Sequence, residues 1–163
     1  MVEDVKTEQS EIDVQKLMEQ YDSESRIRRP LGIMAIIISI IAISMSAFHF
    51  YTGGFGLLLG LKQRSIHLAF TLCLIFLIYP GFKKGFDKNK NKIPLYDIII
   101  AILGVVVSLY LVVFYNDLAV RAGLPTILDL IMGGMTIILV LEATRRVVGS
   151  ALPIVVIVFI LYS

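Results

Sequence analysis

The chain has 163 residues, of which 57% are hydrophobic, a formal net charge of +2 and one cysteine; its mean hydropathy is +0.84. Its apolar residues come in blocks comparable with the roughly 20 residues that cross a bilayer, which excludes a soluble globular domain. The near-zero net charge gives no electrostatic support for nucleic-acid binding. A lone Cys73 inside an apolar run excludes an internal disulfide and a cysteine metal cluster.

Residues 1–29 are polar and carry eight acidic side chains. Within them Val14, Leu17, Met18 and Tyr21 fall at i, i+3, i+4 and i+7, which predicts a short solvated or interfacial helix, with Ser10 and Asp13 as a loose capping-box start. The acidic character and the late first apolar run do not have the form of a cleavable signal. Arg26, Arg28 and Arg29 precede the first predicted span, residues 31–51, which holds no charge. A glycine-rich stretch follows, Gly53 to Gly60. Its GxxxG of Gly56 and Gly60 lies outside a full-length apolar helix, so a turn or bent extension is expected there rather than a dimer face.

The second span is placed at residues 66–79, short unless it recruits residues near Ser65 or Gly81 and Phe82. A basic loop over residues 81–92 carries Lys83, Lys84, Lys88, Lys90 and Lys92. Pro94 opens the third span, residues 95–115, and a polar loop over residues 116–125 holds Asp117 and Arg121. The fourth span covers residues 126–141. A polar island, Glu142 to Arg146, then leads into a further apolar segment from near Val147 that meets no polar flank by Ser163. The expectation is the front part of a longer membrane system. The fold class is all-α and polytopic, with four spans plus the start of a fifth. Three regions are expected: an acidic cytoplasmic tail (1–29), a four-helix membrane scaffold (30–141), and a junction with the start of another transmembrane helix (142–163).

Orientation follows from Lys and Arg in short loops. With the N-terminus inside, the inner side holds Arg26, Arg28, Arg29, the five loop lysines, Arg145 and Arg146, ten in all. The outer side holds Lys62, Arg64 and Arg121, three in all. The N-terminus is therefore expected in the cytoplasm.

Charges at the edges of spans are the candidate sites. Asp97 and Asp129 each stand near a helix start, where capping or dipole compensation is the expected role. Arg121 could pair with Asp117 or meet a partner from outside. Glu142, Arg145 and Arg146 have i,i+3 and i,i+4 spacing, which predicts an intrahelical ion cluster; the sharper expectation is that it fixes a junction with a larger membrane portion. His67 and His49 read as interfacial histidines, since no second ligand stands at a metal-binding spacing. Gly133 and Gly134 are expected to permit close helix packing. No hydrolase triad, phosphate loop or dinucleotide fingerprint occurs, so no catalytic site, cofactor site or metal site is expected.

Four segments carry a family resemblance: L-K-Q-R-S-I-H-L-A-F (61–70), F-L-I-Y-P (76–80), R-A-G-L-P-T (121–126) and, most specific, L-E-A-T-R-R-V-V-G-S-A-L-P (141–153). Together they resemble the N-terminal part of fused permeases of the tripartite ATP-independent periplasmic (TRAP) transporters, over about residues 60–163. In that family a small four-helix membrane subunit is joined to a large twelve-helix one. The resemblance implies a scaffold for a sodium-coupled importer of small, carboxylate-bearing solutes in a bacterial or archaeal plasma membrane. It also implies two partners, the twelve-helix portion, fused or separate, and an extracytoplasmic solute-binding protein. The sodium site would lie outside this chain, as would the moving part. The twelve-helix portion does not occur within these 163 residues. The alternative is a stand-alone small integral membrane protein with a structural or partner-binding role.

Overall fold

A computed structural model describes residues 27–28, 30–56, 58–81 and 93–162. The predicted N-terminal helix at Val14 to Tyr21 and the five loop lysines lie outside the described residues. The secondary structure of the described residues consists of six helices: α1 (Ile33–Gly54), α2 (Gly60–Ile78), α3 (Leu95–Val113), α4 (Tyr115–Val120), α5 (Ile127–Val147) and α6 (Ala151–Tyr162). Among the described residues α1, α2, α3 and α5 are long and apolar enough to cross a membrane. At 19 to 22 residues and 1.5 Å per residue they reach about 28–33 Å, close to the hydrocarbon thickness of a bilayer. The protein is an all-α polytopic membrane protein. α6, with 12 residues, rises only about 18 Å.

A helix satisfies its own backbone, which lipid requires, so even the β-branched run Ile36-Ile37-Ile38 of α1 is helical. The ends have local causes. Pro94 stands at the start of α3 without a side-chain cap. Thr126 and Asp129 form a reciprocal capping box at the start of α5. Gly149, at φ 99°, ends α5 by turning into the left-handed region, and its N–H donates to the Arg145 oxygen at 3.1 Å. Pro153 falls in the first turn of α6, where its missing N–H is tolerated.

Three boundaries differ from expectation. α2 starts at Gly60 rather than near residue 66, so it recruits Lys62, Gln63 and Arg64 and becomes long enough to span. Lys62 sets its ammonium over the Tyr115 ring, 5.0 Å from the centroid, which gives a charge at a helix end an aromatic partner. α5 runs on to Val147 rather than stopping at residue 141, so the polar island is the last turns of a span and not a loop. The polar loop at residues 116–125 is half helical, as α4.

Packing centres on α2 against α3. Leu72, Phe76 and Leu77 of α2 meet Ala101 and Val107 of α3 and Leu139 and Ala143 of α5 in one buried cluster. Gly104 lets the first two helices close: a Cβ there would lie 3.2 Å from the Leu72 Cβ and 3.6 Å from Phe76 Cε2. Gly133 and Gly134, expected to permit close helix packing, make no close contact among the described residues. A Cβ at either would meet nothing within 4 Å, because they sit on a face of α5 with no close neighbour among the described residues. α1 lies at the periphery, with Ile38 and Ile41 touching the core and no buried residue in its apolar window. Large apolar side chains such as Ile36, Ile40, Ile43, Ile99, Ile102 and Leu130 face outward, as a lipid solvent allows.

Candidate functional site

One end of the bundle gathers Arg28, just before α1, the exit of α2, the entrance of α3 and the exit of α5. Glu142 is one centre. Its Oε2 accepts from Arg145 Nε at 2.7 Å, and its Oε1 accepts from Arg145 Nη2 at 2.7 Å and from Arg146 Nε at 2.9 Å. The predicted intrahelical cluster is therefore present, with Arg145 held as a two-pronged fork. It also reaches beyond its own helix. Arg145 Nη2 donates to the Gly81 oxygen at 2.9 Å, and Arg146 Nη1 donates to the Tyr79 oxygen at 3.2 Å. Both carbonyls follow the end of α2, where no further turn of helix would use them.

Asp97 is the second centre. Its Oδ1 accepts from Arg146 Nη1 at 2.7 Å and its Oδ2 from Arg28 Nη2 at 2.5 Å. Asp97 is fully buried, and the side chains of Arg146 and Arg28 are 2% and 5% exposed. The role expected for Asp97 was capping or dipole compensation. It does lie in the first turn of α3, where a carboxylate suits the helix N-terminus. Its two oxygens, however, go to arginines 49 and 69 residues away in sequence. The Arg28 backbone N–H adds a bond to the Ile78 oxygen at 3.0 Å. Arg146 lies over the Phe76 ring, 4.9 Å from its centroid, so the hub rests directly on the apolar core.

Gly81 completes this end. A Cβ there would lie 2.8 Å from Arg146 Nη2, so any larger residue would force the buried guanidinium to shift. The arrangement has two carboxylates and three guanidiniums, with the acidic side chain at a helix start and Arg145 and Arg146 in the last turn of α5, each the favourable sign for its helix dipole. It contains no nucleophile or proton-transfer pair aimed at a cavity. What it can do is hold four chain segments in one geometry. Asp97 and Arg28 were missing from the predicted junction. The signal that could have found them is topological: a charge at a span edge needs a partner, and Arg28, Asp97 and Arg146 all fall on the same predicted side.

At the opposite end, Asp129 accepts from the Thr126 backbone N–H at 2.8 Å, from the Thr126 hydroxyl at 2.7 Å and from the Tyr110 hydroxyl. Its expected capping role is seen, with a tie to α3 added. Arg121 does not bond the Asp117 carboxylate. Its Nε donates to the Asp117 backbone oxygen at 3.2 Å, and its Nη1 stands 3.7 Å from Asp129 Oδ2. Arg121 is half exposed beside an open depression of about 580 Å³ lined by Tyr110, Phe114, Val120 and Leu128. His49 and His67, read separately as interfacial, meet across α1 and α2 with Nε2 and Nδ1 2.8 Å apart. No group of three or more His, Cys, Asp or Glu placed to hold a metal ion occurs among the described residues.

No family model, no curated protein and no solved structure matches the chain.

Proposed function

We propose that the chain is the membrane scaffold portion of a sodium-coupled TRAP-type secondary transporter for small, carboxylate-bearing solutes. It would sit in a bacterial or archaeal plasma membrane with its N-terminus inside and work with an extracytoplasmic solute-binding protein. The observation that carries the reading is the L-E-A-T-R-R-V-V-G-S-A-L-P stretch at residues 141–153, together with the place of its charged residues in the fold. Glu142, Arg145 and Arg146 tie the ends of α2, α3 and α5 together. A scaffold must present a rigid surface while another portion moves, and charge-assisted bonds between helix ends supply that rigidity. Four spanning helices also agree with the small subunit of that family. Solute and sodium would be handled near the membrane midplane by the twelve-helix portion, and this chain would carry no catalytic role.

The test is a chromosomal tag at Met1, followed by the native size of the product and mass spectrometry of what purifies with it. The reading expects either a product far above the 18.2 kDa of these residues, containing permease sequence, or a separate twelve-helix permease in stoichiometric amount. It also expects sodium-dependent uptake of a carboxylate solute to be lost on deletion. A product near 18.2 kDa with no permease partner and unchanged uptake would overturn it. Glu142→Ala tests the junction: membrane insertion is expected to persist while assembly with the larger portion falls. Equal recovery of the partner in a pull-down would remove Glu142 from that role.

A further inference from the structure

At the end of the bundle opposite the ionic hub, α4 and the turn after it connect the exit of α3 to the entrance of α5. The connection is unusually apolar: Val113, Val120, Leu124 and Ile127 are 74–87% exposed. Such a patch is unfavourable in water and is relieved in the headgroup region of a bilayer, the level at which the ends of spanning helices stand. Tyr110 and Tyr115 lie in the same stretch, as aromatic residues do at membrane interfaces. No residue of α4 is buried, so the protein alone covers this helix poorly.

Two opposite charges are set into this apolar ground without neutralising each other. Asp117 and Arg121 have the spacing of a helical ion pair, yet Arg121 Nε donates to the Asp117 backbone oxygen and not to its carboxylate. That carboxylate has no hydrogen bond or ion pair among the described residues. Arg121 Nη1 stands 3.7 Å from Asp129 Oδ2, beyond hydrogen-bond reach. The Asp129 oxygens are already engaged, Oδ2 by the Thr126 N–H and hydroxyl and Oδ1 by the Tyr110 hydroxyl. Neither Nη group of Arg121 therefore has a hydrogen-bond acceptor among the described residues. Both charged residues line the depression of about 580 Å³, with Phe114, Val120 and Leu128 as its apolar walls. That volume lies within the roughly 300–1,000 Å³ of small-ligand sites.

The charges select the ligand. Free guanidinium N–H groups suit a phosphate, and an unpaired carboxylate suits an ammonium. Arg121 against Asp117 and Asp129 leaves a formal charge of −1, so a ligand that is only an anion meets net repulsion whereas a zwitterion does not. The apolar walls and the place at a membrane interface favour an amphiphile over a soluble zwitterion. We infer that the depression holds one phospholipid with a zwitterionic headgroup bearing a primary ammonium, a phosphatidylethanolamine. Its phosphate accepts from the Arg121 Nη groups, its ammonium donates to the Asp117 carboxylate, and the upper part of an acyl chain lies along Phe114, Val120 and Leu128. A choline headgroup has no N–H to give Asp117, and a glycerol headgroup brings no cation. The lipid supplies α4 with the packing that the protein does not.

The test uses the full chain, purified in mild detergent, stripped of lipid and titrated in native mass spectrometry. The probes are phosphatidylethanolamine, phosphatidylcholine and phosphatidylglycerol with identical acyl chains. The expected result is one phosphatidylethanolamine per chain, bound about tenfold more tightly than either of the others, the worth of one charge-assisted hydrogen bond. Arg121→Gln should weaken its binding by about tenfold or more for the same reason. Asp117→Asn alters an exposed carboxylate without a partner, so far-UV circular dichroism should be unchanged. In that variant the ethanolamine and choline lipids should bind within about twofold of each other. Equal binding of the three lipids would overturn the proposal, as would unchanged affinity in Arg121→Gln or a full ethanolamine preference in Asp117→Asn. Phosphorylethanolamine without acyl chains binding as tightly as the lipid would instead show a site for a soluble zwitterion. A lipid-free dimer would show that a second copy of the chain covers the depression, and either result would also overturn it.

Discussion

Replacing Asp97 with asparagine keeps the shape of the buried hub and removes only its charge. Each guanidinium that meets the carboxylate is a close ion pair, at 2.7 Å for Arg146 and 2.5 Å for Arg28. With charge centres about 4 Å apart and an effective dielectric of about 20, each attraction is about 4 kcal/mol. The two guanidiniums repel each other across about 6–7 Å by about 2.5 kcal/mol under the same assumptions. Without the carboxylate that repulsion remains beside a helix pair that excludes water, with Arg146 still paired to Glu142 at 2.9 Å and Arg28 left without its carboxylate. Local rehydration recovers part of the loss, and breaking buried pairs of this kind destabilises by about 3–5 kcal/mol. The chain has no tryptophan, so helix loss by far-UV circular dichroism during titration with sodium dodecyl sulfate in mixed micelles is the suitable readout. Asp97→Asn should shift the unfolding free energy by about 3–5 kcal/mol. The triple variant Arg28→Met, Asp97→Leu and Arg146→Met removes all three charges together and should recover most of it, because a well-packed apolar replacement leaves no orphan charge. A loss below about 0.5 kcal/mol for Asp97→Asn, the range of ordinary surface substitutions, would refute the reasoning. So would simple additivity of Asp97→Asn with Arg146→Met, since residues in one network must couple.

Gly81→Ala should destabilise by about 1–3 kcal/mol in the same titration, because its Cβ would push Arg146 Nη2 from 2.8 Å and disturb the hub. Thr126→Ala removes the side-chain oxygen of the capping box and should lower stability by about 0.5–2 kcal/mol, with faster amide exchange confined to the first turn of α5. Gly133→Ala should leave this chain unharmed or stabilise it by up to about 1 kcal/mol, since the position is open and alanine is the better helix former; a loss above 1 kcal/mol by circular dichroism would show that the face is covered.

The four spans were legible because charge-free apolar runs of this length have few other fates. Their ends were less so, for a common reason. At Lys62 to Arg64 and again at Glu142 to Arg146, charged residues read as the close of a span, yet both stretches are helical. Lys62 meets Tyr115, and Glu142 neutralises its arginines within two turns of helix, so neither stretch has to leave the helix to find partners. The i,i+3 and i,i+4 spacing showed the second case in advance. It could not show Asp97 reaching Arg28 and Arg146, nor His49 meeting His67, because those pairs depend on which helices are neighbours. Gly133 and Gly134 show the converse error: a glycine pair in a span permits close approach but does not require it, and the close contact is instead at Gly104.

The two ends of the bundle differ in a way that bears on how such a protein could serve as a fixed frame. At the end holding Asp97 the polar contacts are buried and shared: Arg146 alone bonds Glu142, Tyr79 and Asp97, so no helix can shift there without breaking bonds to two others. At the opposite end each polar tie joins only two of the spanning helices, and α1 and α2 have a second one between Thr52 and Gln63. Tyr110 ties α3 to Asp129 of α5, and His49 ties α1 to His67 of α2. Either pair can open without disturbing the other. Local stability follows the density of buried contacts. Motion within the described helices should therefore pivot about the Asp97 end and spread at the histidine end, and α1, with no buried residue in its apolar window, is the spanning helix with the least burial to resist it.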